Sequence, residues 1–69
     1  MPESVYKIVE VVGSSAESWE KAAEAAVQRA SSSLRDLRIA EVVQQDIQIE
    51  AGKVKAYRTK LKLSFKMED

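Results

Sequence analysis

The chain reads as an α+β domain with the element order β-α-β-β, and three observations carry that reading. A short β-branched run, VYKIVEVV, is closed by Gly13-Ser14-Ser15. An alanine-rich segment then repeats its apolar residues at helical spacing. Finally, Tyr57 to Met67 alternate apolar and polar without a break.

The first strand is placed at Val5 to Val12. Apolar side chains on both of its faces predict a largely covered strand. The Gly-Ser-Ser turn supplies helix-start chemistry. Ser14 with Glu17 has capping-box spacing, and Ser18 is a second candidate N-cap, with Glu20 in the first turn either way.

The helix is placed from Ser18 to Leu34. Trp19, Ala23, Ala26, Ala30 and Leu34 form one stripe, flanked by Ala22 and Val27. Glu17, Lys21, Glu24, Gln28 and Ser31 occupy the opposite face, where Glu17 and Lys21 are spaced for an i,i+4 pair. Small residues along the buried stripe let the helix axis approach a sheet closely. Ser31-Ser32-Ser33 is a poor helix interior and marks the fraying last turn.

A second strand spans Ile39 to Ile49. Ala40 and Val42 have one parity and Ile47 and Ile49 the other, which a bulge or strong bend within Val43 to Asp46 would reconcile. Glu50-Ala51-Gly52-Lys53 is a hairpin turn, with Gly52 free to take positive φ. On the third strand Tyr57, Thr59, Leu61, Leu63, Phe65 and Met67 share one face, and Arg58, Lys60, Lys62, Ser64 and Lys66 the other.

Length limits what this pattern can do alone. The 69 residues make a single domain, 1–69, with four aromatic side chains and no cysteine for a disulfide or thiolate metal site. A chain of this size buries only about 60% of its unfolded surface. One helix against three strands leaves strand ends projecting and edges unpaired, which predicts a homo-oligomer. The N-terminus lacks the basic and apolar regions of a secretory signal, and no apolar run spans a bilayer, so a cytoplasmic protein without membrane partners is expected.

Enzymatic chemistry is poorly provided for. Histidine and cysteine are both absent, and there is no phosphate loop, nucleophile elbow or zinc spacing. Formal net charge is zero, yet Lys53 to Lys66 holds six bases and no acid. A basic strand can track a phosphate backbone, but single-strand binders interleave such bases with exposed aromatics. Here Tyr57 and Phe65 fall on the apolar face, so no nucleic-acid partner is expected and the bases read as a solvated face or as pairing with acids across a subunit contact. Asp46, Gln48 and Glu50 alternate along the second strand and point the same way. Such oxygens suit a hard cation such as calcium, with Asp46 and Glu50 as candidate ligands, although three side chains fall short of its six to eight oxygens. A polar strand face is the plainer reading of the same residues.

The segments VYKIVEVVGSSAESWEKAAEAAVQRASSSLRDLR, EVVQQ and GKVKAYRTKLKLSFKME together resemble the dodecin family over essentially the whole chain. Val5-Tyr6-Lys7, Gly13-Ser14-Ser15, Ser18-Trp19-Glu20 and the closing alternation carry the likeness. The resemblance implies a three-stranded antiparallel sheet folded around one helix, a homododecameric hollow shell of cubic symmetry, and a non-enzymatic role in storing or scavenging flavin (FMN, FAD or riboflavin). It also implies a flavin site at Ile39, Ala40, Asp46, Arg58 and Lys66, and that site is altered here. The family pattern places a stacking tryptophan at Ile39, a second aromatic at Ala40, a ring-edge glutamine at Arg58 and a basic residue at Asp46; Lys66 keeps its basic character. Loss of the stacking ring alone removes roughly 1–3 kcal/mol by analogy with base–aromatic contacts. The aliphatic residue at Ile39, the Gln45-Asp46 pair and the Ser64-Phe65-Lys66-Met67 tail resemble instead the calcium dodecin branch, which implies a shell binding calcium in place of flavin. A ligand-free structural shell is the third reading.

Overall fold

The computed structural model describes residues 3–67. It contains strand β1 (Tyr6–Ser15), helix α1 (Trp19–Ser31), strand β2 (Leu37–Glu50) and strand β3 (Lys53–Lys66) in the expected order. The three strands form one antiparallel sheet in the order β1-β3-β2. The last strand in sequence is therefore central, and both earlier strands are edges.

Local chemistry accounts for the boundaries. Ser18, in extended conformation, is the N-cap: its Oγ accepts from the Lys21 backbone N–H at 3.0 Å. Of the two candidate starts, Ser18 prevails, while Ser15 Oγ accepts from the Glu17 N–H and shapes the preceding turn. The helix ends inside the serine run, where Ser32 N–H and Oγ both turn back to the Arg29 carbonyl. It is one turn shorter than its apolar stripe, since Leu34 lies beyond it. Lys21 pairs forward with Glu24 at 4.0 Å rather than back with Glu17.

Gly13 is buried where α1 crosses β1. A Cβ there would fall inside the Ala22 carbonyl group and touch the Ala26 methyl. Glycine on the strand and alanine on the helix therefore set the close approach together. At the hairpin, Ala51 (φ 52°) and Gly52 (φ 73°) both take left-handed conformations, the mirror-image turn that matches strand twist.

The expected bulge is found: Val42 faces Leu61 and Gln44 faces Lys60, leaving Val43 as the extra residue. Two further register shifts make Arg38 the extra residue on β2 and Lys55 the extra residue on β3. The first of these keeps Ile39 opposite Ser64, on the same face as the β3 bases.

The core is small. Ala22, Ala26, Ala56, Leu61 and Leu63 are its buried apolar residues, with Thr59 buried among them. Val9, Val11, Ala23, Val27, Ala30 and Leu37 pack around it. A helix of 13 residues is about 20 Å long, whereas β2 and β3, each of 14 residues, run about 46 Å. The protomer is correspondingly elongated, 54 × 20 × 14 Å. Its radius of gyration is 14.3 Å, against about 11 Å for a compact chain of this length.

One expectation needs correcting. β1 is not covered on both faces: Val9 and Val11 turn to the helix, but Ile8 and Val12 are each more than half exposed. The sequence pattern counted apolar residues on both sides, yet one helix covers only one side of a sheet.

Candidate functional site

The side of the sheet away from α1 carries the polar chemistry. Along central β3 it presents Arg58, Lys60, Lys62, Ser64 and Lys66. Across β1 these face Ser14, Val12, Glu10, Ile8 and Tyr6, and across β2 the first four face Asp46, Gln44, Glu41 and Ile39. Directly opposed residues lie on one face, so a row of cations runs between flanking carboxylates. Lys60 reaches Glu10 at 3.7 Å. Arg58 and Lys60 thus pair with acids of their own sheet, where the sequence pointed to solvent or to acids across a subunit contact.

Asp46 is the most constrained of these residues. Arg58 Nε donates to Asp46 Oδ1 and Nη2 donates to Oδ2, each at 2.7 Å, a two-pronged match between planar guanidinium and carboxylate. The Arg58 hydrogen bonds hold the Asp46 carboxyl below its ordinary range, against opposing partial desolvation. The same hydrogen bonds raise Arg58 further. The backbone is fixed as well, since the Trp19 indole Nε1 donates to the Asp46 carbonyl at 3.1 Å. Trp19 meets Tyr57 edge to face at 5.1 Å, and Thr59 Oγ1 donates to the Trp19 carbonyl at 3.0 Å. The start of the helix is thus tied to the β2–β3 ribbon at the residue whose side chain holds Arg58.

Beside this pair, Val12, Gln44, Asp46, Arg58 and Lys60 enclose a cavity of about 170 Å³. Four of its five lining residues are polar, and they come from all three strands. Glu50 is elsewhere: four residues along β2, about 13 Å from Asp46, it is bound to Lys55 Nζ at 3.3 Å. The two candidate metal ligands are not brought together within one protomer.

The five residues at the altered flavin positions also separate. Ile39 is 62% exposed and Lys66 lies near it, at the end of the ribbon where Tyr6 faces Lys66 and Ile39 faces Ser64. Asp46 and Arg58 are six residues further along β3, about 20 Å away. Ala40 faces Leu63, on the helix side. One protomer does not place Ile39 beside Arg58.

A calcium ion needs six to eight oxygens. Among the described residues, no group of three or more His, Cys, Asp or Glu could hold a metal ion. At the Asp46 cavity a single chain offers one carboxylate and the Gln44 amide oxygen, with Arg58 already on the carboxylate. One protomer alone does not make a calcium shell; a second chain or water would have to complete it.

The sequence reading did not connect three of these features. Helical spacing marks Trp19 as a core-stripe residue, whereas its indole N–H donates to the Asp46 carbonyl. Gln44 and Lys60 were not singled out as neighbours of the site. Asp46 and Arg58 each depart from the family pattern, and their opposite charges are the sequence signal of their pairing. A second feature borders the core: a groove of about 580 Å³ between α1 and β1, lined chiefly by Val11, Val12, Ala26, Ala30 and Leu34. Its walls are apolar and open, in keeping with a protomer whose core is incomplete.

Comparison with known proteins places this arrangement. The dodecin family model matches residues 5–68. Calcium dodecin from Mycobacterium tuberculosis is 52% identical over 65 residues, covering 93% of this chain and 90% of that protein. The dodecin structure from Streptomyces coelicolor superposes with a TM-score of 0.93 at 42% identity, covering 100% of this chain and 99% of its own. The crystal structure of the M. tuberculosis calcium dodecin, described as a calcium-chelating antigen with a novel calcium-binding site, superposes with a TM-score of 0.83 at 50% identity over 94% of this chain and 93% of its own. The β-α-β-β order, the sheet wrapped on one helix and the matched length agree throughout, and the chain belongs to the dodecin family.

Proposed function

We propose that this protein is a non-enzymatic, homododecameric dodecin shell that binds or stores a divalent cation such as calcium in the cytoplasm. The observation that carries the cation reading is the outward-facing Asp46 carboxylate beside Gln44, in a chain half identical to a calcium dodecin. Asp46 is the principal candidate ligand and Glu50 a secondary one. Since one protomer brings too few oxygens together, the site is completed between subunits or by water. The exposed aliphatic surface, the apolar groove and the elongated shape support self-assembly. Among the described residues no helix is long and apolar enough to cross a membrane.

Isothermal titration with calcium chloride, paired with thermal melting, tests this reading. Saturable heat and a rise in melting temperature are expected, because a ligand that binds only the folded state stabilises it. No heat and no shift would remove the cation reading and leave the shell. Riboflavin emission is expected to stay unquenched by micromolar protein, as Ile39 supplies no stacking ring. Strong quenching would instead establish the family's flavin role with a rebuilt pocket.

A further inference from the structure

We infer that the outer-face cavity is an anion pocket, in which Arg58, Lys60 and Gln44 hold the oxygens of a small tetrahedral oxyanion of the phosphate class. The inference uses N–H groups and not the Asp46 carboxylate, so it stands or falls apart from the cation reading.

As built within one protomer, the lining does not fit a calcium ion. It offers one carboxylate, already held by a guanidinium, and one amide oxygen, with a second cation beside them. Calcium takes six to eight oxygens. The same inventory suits an anion. A guanidinium carries five N–H donors, and the fork to Asp46 uses one on Nε and one on Nη2, so three remain. Lys60 Nζ lies 3.7 Å from Glu10, close enough for attraction but beyond hydrogen-bond length. Its donors are therefore not spent there. The Gln44 amide adds its own N–H pair. Two cations against one carboxylate leave the lining with an excess of positive charge.

The fold builds this set. Val12, Lys60 and Gln44 form one cross-strand row, and Arg58 faces Asp46 in the next row on that face. Without the extra residue on β2, Val43 would stand opposite Lys60; the bulge puts the Gln44 amide there instead. Asp46 fixes the guanidinium plane, and its own backbone is tied to Trp19. The remaining Arg58 donors are thus held in place before a ligand arrives. At about 170 Å³ the cavity is smaller than the sites that enclose drug-sized molecules. It takes a single phosphate group, either the free ion or the end of a monoester. The Arg58 and Lys60 side chains are 49% and 41% exposed, so binding weakens with salt.

The test is isothermal titration of the assembled protein with sodium phosphate, in a phosphate-free, low-salt buffer containing a chelator, repeated with glycerol 3-phosphate. Saturable heat that falls with added sodium chloride is expected. Lys60→Gln and Gln44→Glu should each weaken binding about fivefold or more, the factor that an exposed ion pair commonly contributes. Asp46→Asn should tighten it about threefold or more, because it removes the opposing charge. Arg58→Gln should abolish the heat, and Arg58→Lys, which keeps the charge but loses the fork, should recover part of it. Circular dichroism and size-exclusion chromatography check that each variant folds and assembles. Tighter binding of inorganic phosphate would make the ligand the free ion, and tighter binding of glycerol 3-phosphate would make it a monoester. No heat from either would overturn the inference and leave the cation reading standing. So would Lys60→Gln binding phosphate no more weakly than wild type while Asp46→Asn binds it no more tightly.

Discussion

The two faces of the sheet are built from the same three strands and solve different problems. The face towards α1 holds Thr59, Leu61 and Leu63, essentially inaccessible to solvent, and among the described residues no charged side chain is buried. The face away from it holds ion pairs, with Ile8, Val12 and Ile39 exposed between them. The inner face gives the protomer what stability it has. The outer face spends apolar surface on water, which a solitary protein gains nothing from. Alternation along β3 produces both surfaces from one segment, and only the inner one is finished within the protomer.

Substitutions on the two faces separate these roles. The largest effect is expected where helix and strand touch. Gly13→Ala places a methyl inside the Ala22 carbonyl, and should cost about 3 kcal/mol or more in a denaturant titration. Unchanged stability there would mean that α1 does not dock as described. Leu63→Ala should cost about 2–4 kcal/mol, as for other buried leucines. Ile8→Ala on the outer face should leave protomer packing nearly unchanged and reduce assembly by size-exclusion chromatography; equal losses for the two would dissolve the distinction between faces.

A smaller effect is expected from Thr59→Val. It removes the hydroxyl that donates to the Trp19 carbonyl and should cost about 1–2 kcal/mol. If it also weakens metal binding, Trp19 transmits the change to Asp46.

The smallest effect is an acid dependence. Because the Arg58 hydrogen bonds hold the Asp46 carboxyl below the ordinary carboxylate range, the pair stabilises the folded state fully above that range. The contribution is lost as pH falls through the lower folded pKa. Melting curves of wild type and Asp46→Asn should therefore differ near neutrality and converge in strong acid. A gap that persists in acid would show that the variant acts by some other route.

Much of the fold was legible because it depends on local periodicity. The strict alternation from Tyr57 to Met67, the alanine stripe and the parity break near Val43 each report backbone geometry over a few residues. Strand order was not legible, because antiparallel pairing of β3 with β1 depends on contacts some fifty residues apart in sequence. Nor was the coverage of β1: an apolar residue on a strand declares that it wants a partner, not whether that partner lies in the same chain. The site was half legible. Chemistry pointed to Asp46 and resemblance to Arg58, but their pairing needs the register that the Val43 bulge sets. Glu50 shares the β2 alternation with Asp46, yet its own partner is Lys55, next to the turn.

Native mass spectrometry of the freshly purified protein, with no ligand added, tests the central claim most directly. The account predicts a species near twelve times the 7.7 kDa chain, carrying discrete calcium-sized increments. A monomer, or twelve subunits carrying flavin-sized increments, would contradict it.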